Sequence, residues 1–256
     1  MKKLLLAASV ATLLSTNVQA DTLLGLYLGG QVWDAAAKGS FGEDDGQGNV
    51  VLQDFNLNDQ QQTSFYAALE HPIPLIPNIK IASTTLDTDG ITIIDEEFSF
   101  GGEVYPVGAE VETIFNLGYI DYTLYYEILD NDLMTLDVGI TARDFDGDIT
   151  VTDDLGLLSV SEETVAVVVP MVYASAIIGL PFTGFNVFAE GNIVAYDGSS
   201  IYDYQIGVSY AVLDNLAVDL DITLGYRSVK LDLEDLDDLY ADMSFDGAYL
   251  GAVVHF

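Results

Sequence analysis

The feature that most constrains this chain is a period of two. Across residues 133–143, "LMTLDVGITAR", the side chains of Met134, Leu136, Val138, Ile140 and Ala142 alternate with Thr135, Asp137, Gly139, Thr141 and Arg143. In "NLAVDLDITLGYR", Val218, Leu220, Ile222, Leu224 and Tyr226 alternate with Asp219, Asp221, Thr223, Gly225 and Arg227. "YDYQIGVSY" sets Tyr202, Tyr204, Ile206, Val208 and Tyr210 against Asp203, Gln205, Gly207 and Ser209. Successive side chains of a strand point to opposite faces, so each stretch predicts a strand with one apolar and one polar face.

Followed along the chain, the pattern predicts about ten strands. They cover 22–33, 62–71, 78–87, 113–128, 132–144, 162–178, 184–196, 201–212, 216–232 and 243–256. Every second connection is short: "PIPLIP", "LDND", "GLPFT" and "LDN". The others, 34–61, 88–112, 145–161 and 233–242, are long, polar and acidic, with "DGSS" the one short exception. Short turns at one end and long loops at the other are the asymmetry of a transmembrane β-barrel. An even strand number places both termini on the short-turn, periplasmic side.

A soluble sandwich also alternates, with its apolar face inward. Here apolar residues hold one face over ~10-residue stretches, the length a tilted strand needs to cross a bilayer, and the other face carries Asp, Gln, Thr, Arg and Gly. Aromatics gather at strand ends: Tyr126, Tyr173, Phe185, Tyr210 and Phe256 for a periplasmic girdle, Tyr202 and Tyr226 for the outer one. No stretch of ~18 apolar residues is present for a membrane helix. The predicted fold class is all-β: a closed antiparallel barrel with long acidic extracellular loops.

Residues 1–20, "MKKLLLAASVATLLSTNVQA", carry two lysines, an apolar run from Leu4 to Leu14 and a small-x-small ending. They are expected to be a cleaved signal peptide, leaving 21–256 as the barrel domain. The chain has 41 acidic residues against 7 Lys and Arg, a formal net charge of −34, and no cysteine. That balance argues against nucleic acid, whose phosphates require basic residues, and against docking on anionic lipid through a basic patch. The 15 Tyr and 12 Phe separate it from acidic chains that stay disordered.

The last strand ends "YLGAVVHF", with Ala248, Leu250, Ala252, Val254 and Phe256 on one face. This resembles the C-terminal signal of Gram-negative outer-membrane β-barrel proteins. The resemblance implies that Leu250, Ala252, Val254 and Phe256 are read by the barrel-assembly machinery, after periplasmic chaperones have delivered the chain. "LYYEILDNDLMTLDVGITARDFDG" and "LPFTGFNVFAEGN" are similar to a family of small outer-membrane barrels of unsettled activity. That similarity implies location in the cell outer membrane, among lipid and lipopolysaccharide, and supplies no catalytic residue.

The two histidines, His71 and His255, close the second and tenth strands at the periplasmic rim. A barrel protease or phospholipase needs its histidine toward the outer face, so no enzyme activity and no cofactor are expected. The charges that alternation turns inward are the candidate site: Asp121, Asp137, Arg143, Glu190, Asp203, Asp219, Asp221 and Arg227. The "LDND" turn brings Arg143 near Asp121, and "LDN" brings Arg227 opposite or diagonal to Asp203. Two readings stand open. In a narrow lumen the charges form a paired plug; alternatively they form a constriction for small cations or other small solutes. A third reading places function in the loops, as a surface-binding, adhesin-like barrel. "DFDGD" supplies oxygen ligands from Asp144, Asp146 and Asp148 for a divalent cation, without the spacing or terminal Glu of an EF-hand loop. The barrel is expected to be monomeric.

Overall fold

The computed structural model describes residues 24–44, 50–131, 133–153, 160–215, 218–236 and 239–256. The predicted signal peptide lies outside the described residues, as do parts of three acidic connections. The elements are β1 (Gly25–Glu43), β2 (Gln53–Asp54), β3 (Gln60–Glu70), β4 (Asn78–Ile93), β5 (Phe98–Phe100), β6 (Glu103–Tyr105), β7 (Glu110–Asn131), β8 (Met134–Asp153), β9 (Ser161–Leu180), β10 (Phe185–Tyr196), β11 (Ser199–Leu213), β12 (Asp219–Leu236) and β13 (Leu239–His255). The ten long strands pair antiparallel with their chain neighbours, and β13 returns to β1 to close the barrel. β2 adds a short rung beside β1, and β5–β6 form a separate hairpin.

Closure runs from Tyr27↔His255 to Glu43↔Leu239 in one register. Backbone hydrogen bonds between Leu26 and Phe256, 3.3 and 3.0 Å, extend it to the chain end. Midway along this seam a Cβ on Gly247 would lie 1.7 Å from the Asp34 carbonyl oxygen, so only glycine fits. The Asp197-Gly198 turn joins β10 to β11, with φ of 48° and 91°. Two consecutive positive φ values match the right-handed twist of a tight hairpin.

The strands are longer than alternation alone predicts. β1 continues to Glu43, β4 to Ile93, β8 to Asp153 and β12 to Leu236, so much of each expected loop is ladder. β7 shows the reason. Near the short turns its outward residues are Ile120, Tyr122, Leu124 and Tyr126, and its inward ones Tyr119, Asp121, Thr123 and Tyr125. Farther along, the outward residues are mostly polar, Glu110, Glu112 and Asn116 beside Ile114, and the inward ones mostly apolar, Val111, Phe115 and Leu117 beside Thr113. β13 repeats the change: Ala248, Leu250, Ala252 and Val254 face out below, while Leu239, Ala241, Met243 and Phe245 face in above. A wall that is apolar outside belongs in lipid; one that is apolar inside belongs in water. The barrel is thus a membrane barrel at the short-turn end, and its strands continue as a water-facing head with its own apolar core.

That core closes the head. Phe41, Phe55, Phe98 and Phe100 are all 0% exposed, and the β5–β6 hairpin brings the last two over the mouth. Phe41 stacks on Phe55 at 4.3 Å and meets Phe100 edge-on at 5.3 Å. Tyr105 Oη donates to the Val151 carbonyl (3.0 Å) and lies 2.7 Å from Ser161 Oγ, tying the hairpin to β8 and β9. Burial there raises the Tyr105 phenol pKa above its usual value.

Candidate functional site: the lumen

Beneath the apolar head lies a layer of charge. Asp121 of β7 and Arg143 of β8 occupy paired positions, both inward. Arg143 donates through Nε and Nη2 to the two Asp121 carboxylate oxygens, each at 2.7 Å. Its Nη2 also donates to Asp203 Oδ2 at 2.8 Å, across the lumen. Arg227 of β12 sits one rung diagonal to Asp203, opposite Gln205. It grips Asp203 through Nε (3.0 Å) and Nη2 (2.8 Å). Tyr119 donates to Asp203 at 2.6 Å and accepts from Arg227 at 3.0 Å.

These groups are dry: Arg143 is 0% exposed, Asp121 and Asp203 are 5%, and Arg227 is 7%. Burying ions without partners is prohibitive, and here each carboxylate has a forked partner. Flat ring faces complete the cage. The Arg143 guanidinium lies 3.7 Å from the Tyr119 ring centre, and that of Arg227 5.4 Å from Trp33.

Toward the short turns the lumen widens into a chamber of about 220 Å³, lined by both charged and aromatic side chains. Lys80 of β4 reaches Glu190 of β10 across it in an ion pair. The Lys80 ammonium sits 4.5 Å from the Tyr66 ring and 5.6 Å from Tyr173. Thr141 donates to Asn192 at 2.6 Å, a second strut between strands that are not neighbours. Asp221 lines the same chamber.

The remaining expected residues separate. Asp137 is buried beside the chamber, paired in register with Glu127 and Ser175. Asp219 lies at the rim, 3.5 Å from His255 Nδ1, and His255 stacks on Tyr27 at 4.0 Å. His71 follows β3 at the same end. Asp144, Asp146 and Asp148 fall on alternate positions of β8, facing outward on a strand instead of folding into a loop. Extended backbone keeps such side chains apart, and among the described residues no group of three acids or histidines converges. Leu250 and Phe256 face outward at 61% and 52% exposure, with Ala252 and Val254 on the same face.

Tyr173 corrects the expected girdle. It is buried, 5.8 Å from Tyr125 inside the lumen, whereas Tyr126, Phe185, Tyr210 and Phe256 face out. β9 is apolar on both faces here, so alternation could not tell inside from outside. Lys80 and Tyr119 are functional neighbours the sequence reading missed. Lys80 had a signal: Ile79 and Ile81 flank it, and both point outward.

A solved structure decides the fold class. The outer membrane protease OmpT of Escherichia coli is similar over 94% of this chain and 98% of that one, with a TM-score of 0.56 and 10% sequence identity. The fold is that of an outer-membrane β-barrel. Two further barrels are more loosely similar. Neisserial surface protein A has a TM-score of 0.35 and 12% identity, over 90% of this chain and 97% of that one. The Ail protein of Yersinia pestis has a TM-score of 0.34 and 12% identity, over 91% and 99%. No family model matches the chain, and no curated protein does. The outer-membrane β-barrel described here therefore has its lumen crossed by side chains at two levels and packed at a third.

Proposed function

We propose that this protein is a sealed, non-enzymatic outer-membrane barrel whose task is to hold a rigid acidic head outside the membrane. The observation that carries this reading is the stack inside the lumen: apolar core, dry ionic layer, then the Lys80–Glu190 strut. A cation constriction needs hydrated charges along an open path. Here Asp121 and Asp203, the carboxylates of the dry layer, are spent on arginines. Outward-facing Glu110, Glu112, Asp144, Asp146 and Asp148 lie above the lipid belt and make the head negative. Cation-bridged contact with lipopolysaccharide phosphates, and surface recognition of a basic partner, both suit such a head.

The chain has no cysteine, which makes a topology test clean. An Asp146→Cys variant should react with a membrane-impermeant maleimide on intact cells. A Leu75→Cys variant, in the exposed turn between β3 and β4, should react only after the outer membrane is permeabilised. The reverse pattern would put the head in the periplasm and end the reading.

A further inference from the structure

The ladder between β9 and β10 stops short, as that between β3 and β4 also does beyond Ser64↔Thr84. β9 and β10 pair from Phe185↔Leu180 to Ile193↔Val172 and no farther. β10 continues through Val194, Ala195 and Tyr196, still paired with β11. β9 continues back to Ser161, still paired with β8. Beyond Val172 the two strands run on without a shared ladder. Pro170 stands two residues past the last rung, in the interior of a central strand. Proline has no N–H to offer a ladder, and sheets normally confine it to edges and bulges.

The same place is concave on the outside. An apolar groove of about 900 Å³ crosses the outward faces of β4, β7, β8, β9 and β10. Its sides are bulky: Ile81, Leu124, Ile140 and Val172 are all strongly exposed. Ala142, Pro170 and Ala195 line the same groove and supply little side-chain bulk. Ala142 is paired in register with Pro170, and two residues on along β8 comes outward-facing Asp144. The groove thus lies within the lipid-facing belt and ends at its upper boundary, where the unzipped seam begins.

We infer that this groove is a binding site for one acyl chain of a membrane lipid, held against the β8–β9–β10 wall with its polar end at the seam beside Pro170. Three features select an acyl chain. The groove is apolar along its length, it is continuous with the surface that lipid tails already cover, and it opens at headgroup level. An ordinary convex wall offers tails only one-sided contact. A concave one surrounds a chain on several sides, which is how pockets hold apolar ligands.

The inference rests on membrane placement, which is read separately as resistance of the folded band to SDS before boiling. The protein is refolded into phosphatidylethanolamine/phosphatidylglycerol vesicles carrying a trace of phospholipid with a diazirine on its acyl chain. After irradiation, labelled peptides are mapped by mass spectrometry. Labelling concentrated at Ile140–Ala142, Pro170–Val172 and Ile193–Ala195, at least fivefold above the outward face of β1, is the expected result. Uniform labelling around the barrel would mean bulk lipid only and overturn the inference. Ala195→Trp should fill the groove and lower that labelling to the β1 level, while Leu28→Trp on β1 should leave it unchanged. Pro170→Val, which restores an N–H, should extend amide protection to Ala195, the position that continues the Ile193↔Val172 register opposite residue 170. The wild-type map alone decides the matter if a variant does not fold.

Discussion

Replacing Arg143 with methionine keeps the side-chain stem and removes the charge. In the native protein this guanidinium holds both oxygens of Asp121 and one of Asp203, with no solvent contact. Asp203 retains Arg227 and Tyr119 in the variant, but Asp121 loses both its forked hydrogen bonds. Stranding one partner of a buried pair costs about 3–5 kcal/mol. A hydrated pair of the kind that lines an open constriction is worth about 0–1 kcal/mol. The two accounts of the lumen therefore differ by several-fold in a measurable quantity. Guanidinium unfolding in lipid vesicles reads it, with Trp33, the single tryptophan, as the reporter beside Arg227. Arg143→Met should lose ~3–5 kcal/mol, and Arg143→Met/Asp121→Leu should recover most of that loss, because removing both charges of a buried pair is nearly neutral. A single-variant loss below ~1 kcal/mol would mean the charges are solvated and the lumen is not sealed there.

Gly247→Val places a side chain into the Asp34 carbonyl; the barrel should fail to close, and the SDS-resistant band should disappear, whereas Gly118→Ala, whose Cβ would meet nothing nearer than 3.5 Å, should leave that band intact. Phe256→Ser removes an outward ring next to the closing hydrogen bonds; assembly in cells should fall severalfold with little change in refolded stability, and unchanged yield in the membrane would refute an addressing role. Lys80→Met leaves Glu190 without its cation and should destabilise the barrel by about 3 kcal/mol or less, since this pair is wetter than the ionic layer.

Much of the membrane half was legible because outward Ile, Leu and Val set against inward Asp, Thr and Arg obey one rule along β7, β8, β11 and β12. The head was not legible, because the rule inverts there: Val111, Phe115 and Leu117 turn inward while Glu110 and Glu112 turn out. A search for lipid-facing apolar residues therefore reads the head as loop. Register at the short turns was hidden as well. Counting back from the "LDND" turn with no interruption would pair inward positions of β7 with outward ones of β8. A bulge between Glu127 and Leu129 shifts the ladder by one residue and brings Asp121 opposite Arg143. A second bulge between Ala211 and Leu213 does the same for β11 and β12, placing Gln205 opposite Arg227. The turns place these charges near one another, and the bulges complete the register by putting them on one face.

Single-channel recording of the refolded protein in a planar bilayer tests the sealed lumen most directly. The protein as it stands should insert and stay silent. A variant lacking the β5–β6 hairpin, in an Arg143→Met/Asp121→Leu background, is the control that the sample can be made to leak. Stable cation-selective steps from the unmodified barrel, lost on Asp203→Asn, would contradict the account and make the ionic layer a filter.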